Sequence, residues 1–348
     1  MRVLSLTMLG LGLACGGGSE TTTPGTNAPK AAAEAPKAPP PPAEPGGYFV
    51  WFNPAKTLYR SAADGTGWKP VQGAFPDALH NWYVTLASDA GGRLYVGKGL
   101  DNLYHSDDAG KTWAPVTQAT PPTGSVEYKF CGGAADELFA VGSDGSGLYS
   151  TTAGQSWTAV RVAPEGASGA GDGFRGGCAF GAGGELLVDA WYFDPAGPVT
   201  ATSKDHGATW TKLPRAANNT ATSGLGWSQG AVWYAQNGGY TGAKVSRLDA
   251  ATGTWTETPE LKGTADREWA MSVFASDGKR IVGWENPAKA PSGPAPSAAH
   301  VSTDGGRTFQ AVPGPVASDP TPDSWDEYVA IGWHNGETPG PMPAARPG

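Results

Sequence analysis

One eight-residue pattern recurs along this chain and limits what it can fold into. Ser106-Asp107-Asp108-Ala109-Gly110-Lys111-Thr112-Trp113 returns as Ser203-Lys204-Asp205-His206-Gly207-Ala208-Thr209-Trp210 and as Ser302-Thr303-Asp304-Gly305-Gly306-Arg307-Thr308-Phe309. The common form is S-x-D-x-G-x-T-[WF]. Looser copies close at Trp68, Trp157 and Trp255, so the six closing aromatics lie 45, 44, 53, 45 and 54 residues apart. Repeats of this length, each with one short motif, fit a radial array of four-stranded sheets, in which every unit buries its faces against its neighbours.

The stretch from 82 to 117 shows the unit. Trp82–Leu86, Arg93–Gly97 and Leu103–Ser106 read as strands, joined by the turn Ser88–Gly92 and the loop Gly99–Asn102. A fourth strand begins near Thr112 and Trp113. Phe139–Val141, Leu186–Val188, Val232–Tyr234 and Arg280–Val282 are the matching second strands, each preceded by the Gly- or Asp-rich turn that a hairpin needs. The first unit holds Tyr48–Phe52 and Leu58–Arg60 but has no first strand, whereas Tyr328–Trp333 is left over after the last signature. Pairing these two removes exposed edges. The expected fold class is all-β: a six-bladed β-propeller of four-stranded antiparallel blades, closed by a C-terminal strand that completes the N-terminal blade.

Each signature position has a structural cause. Asp accepts backbone N–H bonds in a tight turn, Gly supplies a positive φ, and the Ser and Thr hydroxyls close local bonds. The aromatic is expected to form a small core for its own hairpin. Asp108, Asp205 and Asp304 therefore read as turn-formers rather than catalysts. The signature resembles the Asp-box, or BNR repeat, of sialidases, sortilin-type receptors, some glucan-cleaving hydrolases and photosystem assembly factors. The resemblance implies the propeller and leaves activity open.

The chain opens differently. Arg2 precedes an apolar run, Val3–Ala14, too short for a permanent membrane helix and suited to an export signal. Leu11-Gly12-Leu13-Ala14-Cys15 resembles a bacterial lipoprotein cleavage site, which implies a signal peptide over 1–14 and lipidation of Cys15. Residues 15–46 then form a Pro/Ala-rich tether containing Pro39-Pro40-Pro41-Pro42, a composition unable to bury a core. The propeller is expected over 47–336 and a disordered tail over 337–348. The implied location is the cell envelope, at the outer membrane where there is one, since no Asp follows Cys15.

Composition excludes some classes of function. There are 32 acidic and 24 basic residues and no Lys/Arg cluster, so a nucleic-acid footprint is missing. His80, His105, His206, His300 and His334 form no close ligand pair, so no metal is expected. No cofactor motif occurs, and a monomer is expected. In an exported protein Cys131 and Cys178 are a candidate disulfide; two small thiols buried near the axis are the alternative.

Binding residues are expected on the face opposite the signatures, built from loops entering each first strand and loops joining strands two and three. In register these supply His80, Asn81 and Trp82; Glu127 and Tyr128; Asp172, Phe174 and Arg175; and Trp227. Asp266, Arg267, Glu268 and Trp269 follow, then Trp325, Asp326, Glu327 and Tyr328. The second loop set adds Lys98, Asp101, Trp191, Tyr192, Asp194, Tyr240, Trp284 and Glu285. Trp82, Arg175, Trp191, Arg267, Trp269, Trp284 and Trp325 are the candidate ligand-binding set, an aromatic platform suited to a sugar or to a protein partner. As an alternative, Glu127, Asp172, Glu268, Asp326 and Glu327 supply carboxylates for a glycoside hydrolase or lyase, whose outcome depends on carboxyl separation. A sialidase fits poorly: only Arg175 and Arg267 are central, and Tyr59-Arg60-Ser61 stands where its Arg-Ile-Pro would be. The expected partner is thus an envelope protein or glycan, with the membrane met only through the lipid anchor.

Overall fold

The computed structural model describes residues 46–52, 57–79, 84–119, 128–142, 146–162, 177–190, 199–214, 222–237, 243–249, 251–259, 261, 271–285, 298–314 and 329–334. Blade 1 contains β1 (Gly47–Phe52), β2 (Thr57–Arg60) and β3 (Lys69–Pro70). Blade 2 is β4 (Thr85–Ser88), β5 (Leu94–Gly97), β6 (Leu103–Ser106) and β7 (Ala114–Pro115). Blade 3 is β8 (Tyr128–Gly132), β9 (Leu138–Gly142), β10 (Ser146–Ser150) and β11 (Thr158–Arg161). Blade 4 is β12 (Gly177–Phe180), β13 (Leu186–Ala190), β14 (Val199–Ser203) and β15 (Thr211–Lys212). Blade 5 is β16 (Thr222–Ser228), β17 (Ala231–Asn237), β18 (Ala243–Asp249) and β19 (Thr254–Glu257). Blade 6 is β20 (Met271–Ser276), β21 (Ile281–Glu285), β22 (Ala298–Ser302) and β23 (Gln310–Pro313). β24 (Val329–His334) returns to blade 1, giving the order β24-β1-β2-β3.

The fold is a six-bladed β-propeller of four-stranded antiparallel blades. The inner strands β4, β8, β12, β16, β20 and β24 meet in turn and close the ring. Closure is by the C-terminal strand, with Gly47 opposite His334 and Phe52 opposite Val329. The fourth strand of blade 2 starts at Ala114, just past the signature, and its first strand runs Thr85–Ser88, later than the sequence places it. The expected Trp82 and Tyr83 at its start lie outside the described residues.

Burial explains the strand sequences. Second strands are covered on both faces by adjacent blades, so β5 and β9 are buried along their whole length and read as apolar runs. The fourth strands lie at the rim. Three of them are two residues long, and Pro70, Pro115 and Lys212 sit on these short edges, which deters pairing with other chains. Inner strands approach backbone to backbone. A Cβ at Gly132 would overlap the Ser88 carbonyl, and one at Gly332 would lie 3.1 Å from the Leu86 carbonyl oxygen. Among the described residues the one helical turn is a 3-10 turn at Asp77–Leu79, which seats the fully buried Leu79 among Phe49, Leu58 and Leu94.

Cys131 of β8 and Cys178 of β12 form a disulfide across neighbouring inner strands, with Cα atoms 5.7 Å apart. It joins blades 3 and 4.

Candidate functional site

Antiparallel order gives the propeller two faces. First-to-second turns and third-to-fourth signature hairpins build one; the remaining connections build the other. On the signature face the acids are occupied. Asp108 Oδ1 accepts from the Ser106 hydroxyl and the Thr112 N–H, both at 2.8 Å, and Oδ2 accepts from the Thr112 hydroxyl at 2.6 Å. Ser106 Oγ in turn accepts from Gly110 N at 2.8 Å. Asp205 repeats these bonds with Ser203 and Thr209, and Asp304 with Ser302 and Thr308. The Thr209 hydroxyl and N–H, then Ser203, hold the Asp205 carboxyl down to about 2. Burial opposes the effect at Asp108 and Asp304, yet their Thr and Ser donors still leave both lowered. In blade 3, where Thr152 replaces the acid, its hydroxyl oxygen accepts from Ser156 N at 2.9 Å. The turn survives without a charge.

The hairpins do more than stabilise themselves. Ala109, Ala153 and His206 carry φ of 58°, 54° and 57°, and the following glycines 110, 154 and 207 carry 86°, 80° and 91°. This backbone drives each glycine into the preceding blade. A Cβ at Gly110 would meet Leu58 at 2.6 Å, at Gly154 Leu103 at 2.8 Å, and at Gly207 Phe139 and Val160 at 3.2 Å. Gly306 abuts Val245, and Gly65 abuts Val282 and Val301 of blade 6 across the closure. The aromatics follow: Trp210 meets Phe139 edge-on at 6.0 Å, and Trp68 meets Trp284 at 5.6 Å. The expectation of a core private to each hairpin is corrected. The aromatic joins the interface with its neighbour because the glycine beside it is already wedged there.

Polar latches on the same face were not found from sequence. Arg93, 1% exposed, donates from Nε to Asp107 at 2.6 Å and from Nη1 to Asp136 of blade 3. Buried Asp89 accepts from Arg93 N, Tyr95 Oη and Asp136 N, each at 3.0 Å, while burial pushes its carboxyl up. Glu137 of blade 3 accepts from Ala134 N and Tyr149 Oη at 2.7 Å and lies 3.1 Å from His206 Nδ1 of blade 4. At the seam, Arg280 of blade 6 donates to the Ala63 carbonyl at 2.9 Å and to Asp277 at 3.0 Å. The available signal was an Asp three or four residues before an Arg that immediately precedes a second strand, at Asp89/Arg93 and at Asp277/Arg280. Among the described residues, no three His, Cys, Asp or Glu side chains converge as metal ligands would.

On the opposite face the described loop of blade 2 carries half-buried Lys98 and exposed Asp101, which accepts from Asn102 Nδ2 at 3.1 Å. Tyr128 opens β8 on this side, its hydroxyl 3.2 Å from Ser146 Oγ. Trp284 is a correction. It is 2% exposed and packs on Trp68, so it fills a blade interface and offers no platform. Trp227 is another: β16 starts at Thr222, which carries Trp227 to the signature end, where it packs beside Leu187, Val232 and Leu248. Glu285 ends β21. Trp82, Arg175, Trp191, Arg267, Trp269 and Trp325 lie outside the described residues, as do Glu127, Asp172, Glu268, Asp326, Glu327 and Cys15. So do His80, Asn81, Phe174, Tyr192, Asp194, Tyr240, Asp266 and Tyr328.

Residues 46–168, which carry the N-terminal strands of blade 1 and all of blades 2 and 3, match the model of the DUF6242 beta propeller domain. No curated protein matches the chain. Among solved structures, the chain is similar to YCF48 bound to D1 peptide (17% identical, TM-score 0.44, covering 77% of this chain and 78% of that one). It is also similar to TolB from Acinetobacter baumannii (12% identical, TM-score 0.49, covering 85% and 68%). A third likeness is to YCF48 from Cyanidioschyzon merolae (16% identical, TM-score 0.43, covering 81% and 88%).

Proposed function

We propose that this chain is a lipid-anchored protein of the cell envelope, whose Asp-box β-propeller binds a protein or glycan partner without catalysing a reaction. The observation that carries the reading is the full commitment of the signature carboxylates, Asp108, Asp205 and Asp304, to their own turns. Three acids, 97 and 99 residues apart, spend both carboxylate oxygens on the Ser and Thr donors of their own turns. Binding then falls to the loops of the other face, where rigid scaffolds commonly carry recognition residues. Trp82, Arg175, Trp191, Arg267, Trp269 and Trp325 are the residues that the sequence register assigns to recognition. Cys15 supplies the anchor through its lipoprotein-like surroundings, and residues 16–46 supply a spacer.

Capture from envelope extracts tests the reading. The full chain retains a partner, and Trp269→Ala combined with Trp325→Ala loses it; undiminished capture would place recognition elsewhere. Incubation with glycan mixtures separates the hydrolase or lyase reading. Turnover that disappears in Glu268→Gln would replace the binding proposal with an enzyme.

A further inference from the structure

We infer that the signature face holds a small-oxyanion site at Arg247, between blades 5 and 6, suited to a carboxylate or a phosphate group. It stands apart from the loop residues proposed above to meet a partner. Arg247 lies near the end of β18, two residues before Asp249, where the strand runs into the blade 5 hairpin. Three other arginines of this face are engaged. Arg93 donates to Asp107 and Asp136, Arg280 to Asp277 and the Ala63 carbonyl, and Arg307 to the Asp304 carbonyl at 2.8 Å. The half-buried Arg247 finds no acceptor for its guanidinium among the described residues, although its Nε is wholly covered. The cover comes from its neighbours in the ring. A Cβ at Gly305 of blade 6 would stand 3.1 Å from Nε, and Gln229 Oε1 lies 3.5 Å from the same point. Gln229 is held there by its Nε2, which donates to the Thr303 carbonyl at 2.6 Å. Blades 2 and 4 carry Ala109 and His206 where blade 6 has Gly305, so the glycine is what leaves room for the guanidinium. The terminal nitrogens, unlike Nε, are not sealed from the surface.

The acids that could neutralise Arg247 are committed to their own turns. Asp249 accepts from the N–H groups of Ala251 and Thr252, and Asp277 from those of Lys279 and Arg280 and from the Arg280 guanidinium. Asp304 accepts from Ser302, Arg307 N and Thr308. Lys279 and Arg307 are exposed, in the turn and the hairpin that Gln229 ties together. Arg247, Lys279, Arg280 and Arg307 thus outnumber Asp249, Asp277 and Asp304 locally, in a chain whose net charge is -8. The field of such a chain turns anions away, so a local excess of cations with unspent donors marks where one can settle. Buried donors without an acceptor are rare in folded proteins. The flat end of a guanidinium matches two oxygens of a carboxylate or phosphate, and a side chain already packed along its length loses little freedom on binding.

Nuclear magnetic resonance of the full chain with nitrogen-15 arginine reads the site directly. The covered Arg247 Nε–H gives a resonance that Arg247→Lys removes. Inorganic phosphate and, separately, acetate replace chloride at constant ionic strength. The Arg247 signal is expected to shift saturably, with half-saturation at about 1–10 mM, while those of Arg93 and Arg280 stay in place. Tighter saturation by acetate assigns the site to carboxylates, and tighter saturation by phosphate assigns it to phosphate groups. Arg247→Gln should lose the rise in melting temperature that phosphate gives the parent chain. Lys279→Gln with Arg307→Gln changes only exposed side chains and should raise the half-saturation by about threefold through lost attraction. Shifts linear in concentration, or equal at every arginine, would report ionic screening alone and overturn the inference. Phosphate binding unchanged in both variants overturns it as well.

Discussion

Asp108 and Asp205 each accept three of these turn hydrogen bonds and Asp304 four, and protonation of the carboxyl weakens them. The folded carboxyls of Asp108, Asp205 and Asp304 are lowered, Asp205 to about 2, against about 3.9 in an unfolded chain. Their contribution is thus complete above about pH 4 and is lost as pH falls toward about 2. Replacing all three with Asn should flatten the acid limb of stability. Urea unfolding between about pH 2 and 5 measures it, and an unchanged slope would mean that other carboxylates set acid sensitivity. The glycine next in the motif is equally constrained. Gly110→Ala adds a Cβ at φ 86° and 2.6 Å from Leu58, and should cost about 2–3 kcal/mol through strain and overpacking. Gly183→Ala, with open space around it, should change stability by less than about 0.5 kcal/mol. At this scale the sequence was informative: Asp and Gly betray a turn by chemistry alone. What it hid was the object each glycine touches, because Leu58 is more than fifty residues from Gly110 and in another blade.

Between elements, the decisive contacts are those that cross from blade to blade. Arg93 is buried and balances Asp107 and Asp136, whose side chains remain 46% and 33% exposed. Arg93→Met should take the arginine from both carboxylates beside buried Asp89, leaving Asp107 only His105 at 3.5 Å, and destabilise by about 2–3 kcal/mol, the exposure of the partners keeping the loss below that of a fully buried pair. Arg280→Met removes a pair in which the arginine is 33% exposed and Asp277 4%; because Asp277 keeps the Lys279 and Arg280 N–H bonds, about 1 kcal/mol is expected. Thermal unfolding of both variants checks the order, and a larger loss at Arg280 would reverse it. Strand existence was legible because second strands are apolar throughout and turns carry Gly and Asp. Strand length was not. β4 has four residues and β16 seven, so reading blade 5 in the register of blade 2 put Trp227 on the wrong face. Trp284 misled differently, since its position near the end of β21 is right but it is buried and packs against Trp68 of the neighbouring blade.

A propeller ring is as strong as its weakest interface, and this one is reinforced on opposite sides. The Cys131–Cys178 bridge ties blades 3 and 4, three blades from the interface between blades 6 and 1. It closes a segment with sequence separation 47, for which chain-entropy arguments give about 4 kcal/mol as an upper expectation. Cys131→Ala with Cys178→Ala should therefore lower the melting temperature while keeping the β-sheet circular dichroism. The seam side has no covalent tie and depends on β24, which pairs with β1 and touches both β4 and β20. Removing residues 329–348 strips the inner edge of blade 1, where Tyr48, Phe49 and Val50 are fully buried, and severs two inter-blade contacts at once. An exposed apolar edge of this kind pairs with other chains. The truncated chain is expected to associate on size exclusion and to lose its single cooperative transition. A synthetic peptide of residues 326–338, added in excess, should restore both the elution volume and the sharp transition, because it supplies the missing strand in trans. A truncated chain that stays monomeric and melts like its parent would show that the ring holds without closure, and the stabilising role would pass to the wedged glycines and the latch at Arg93.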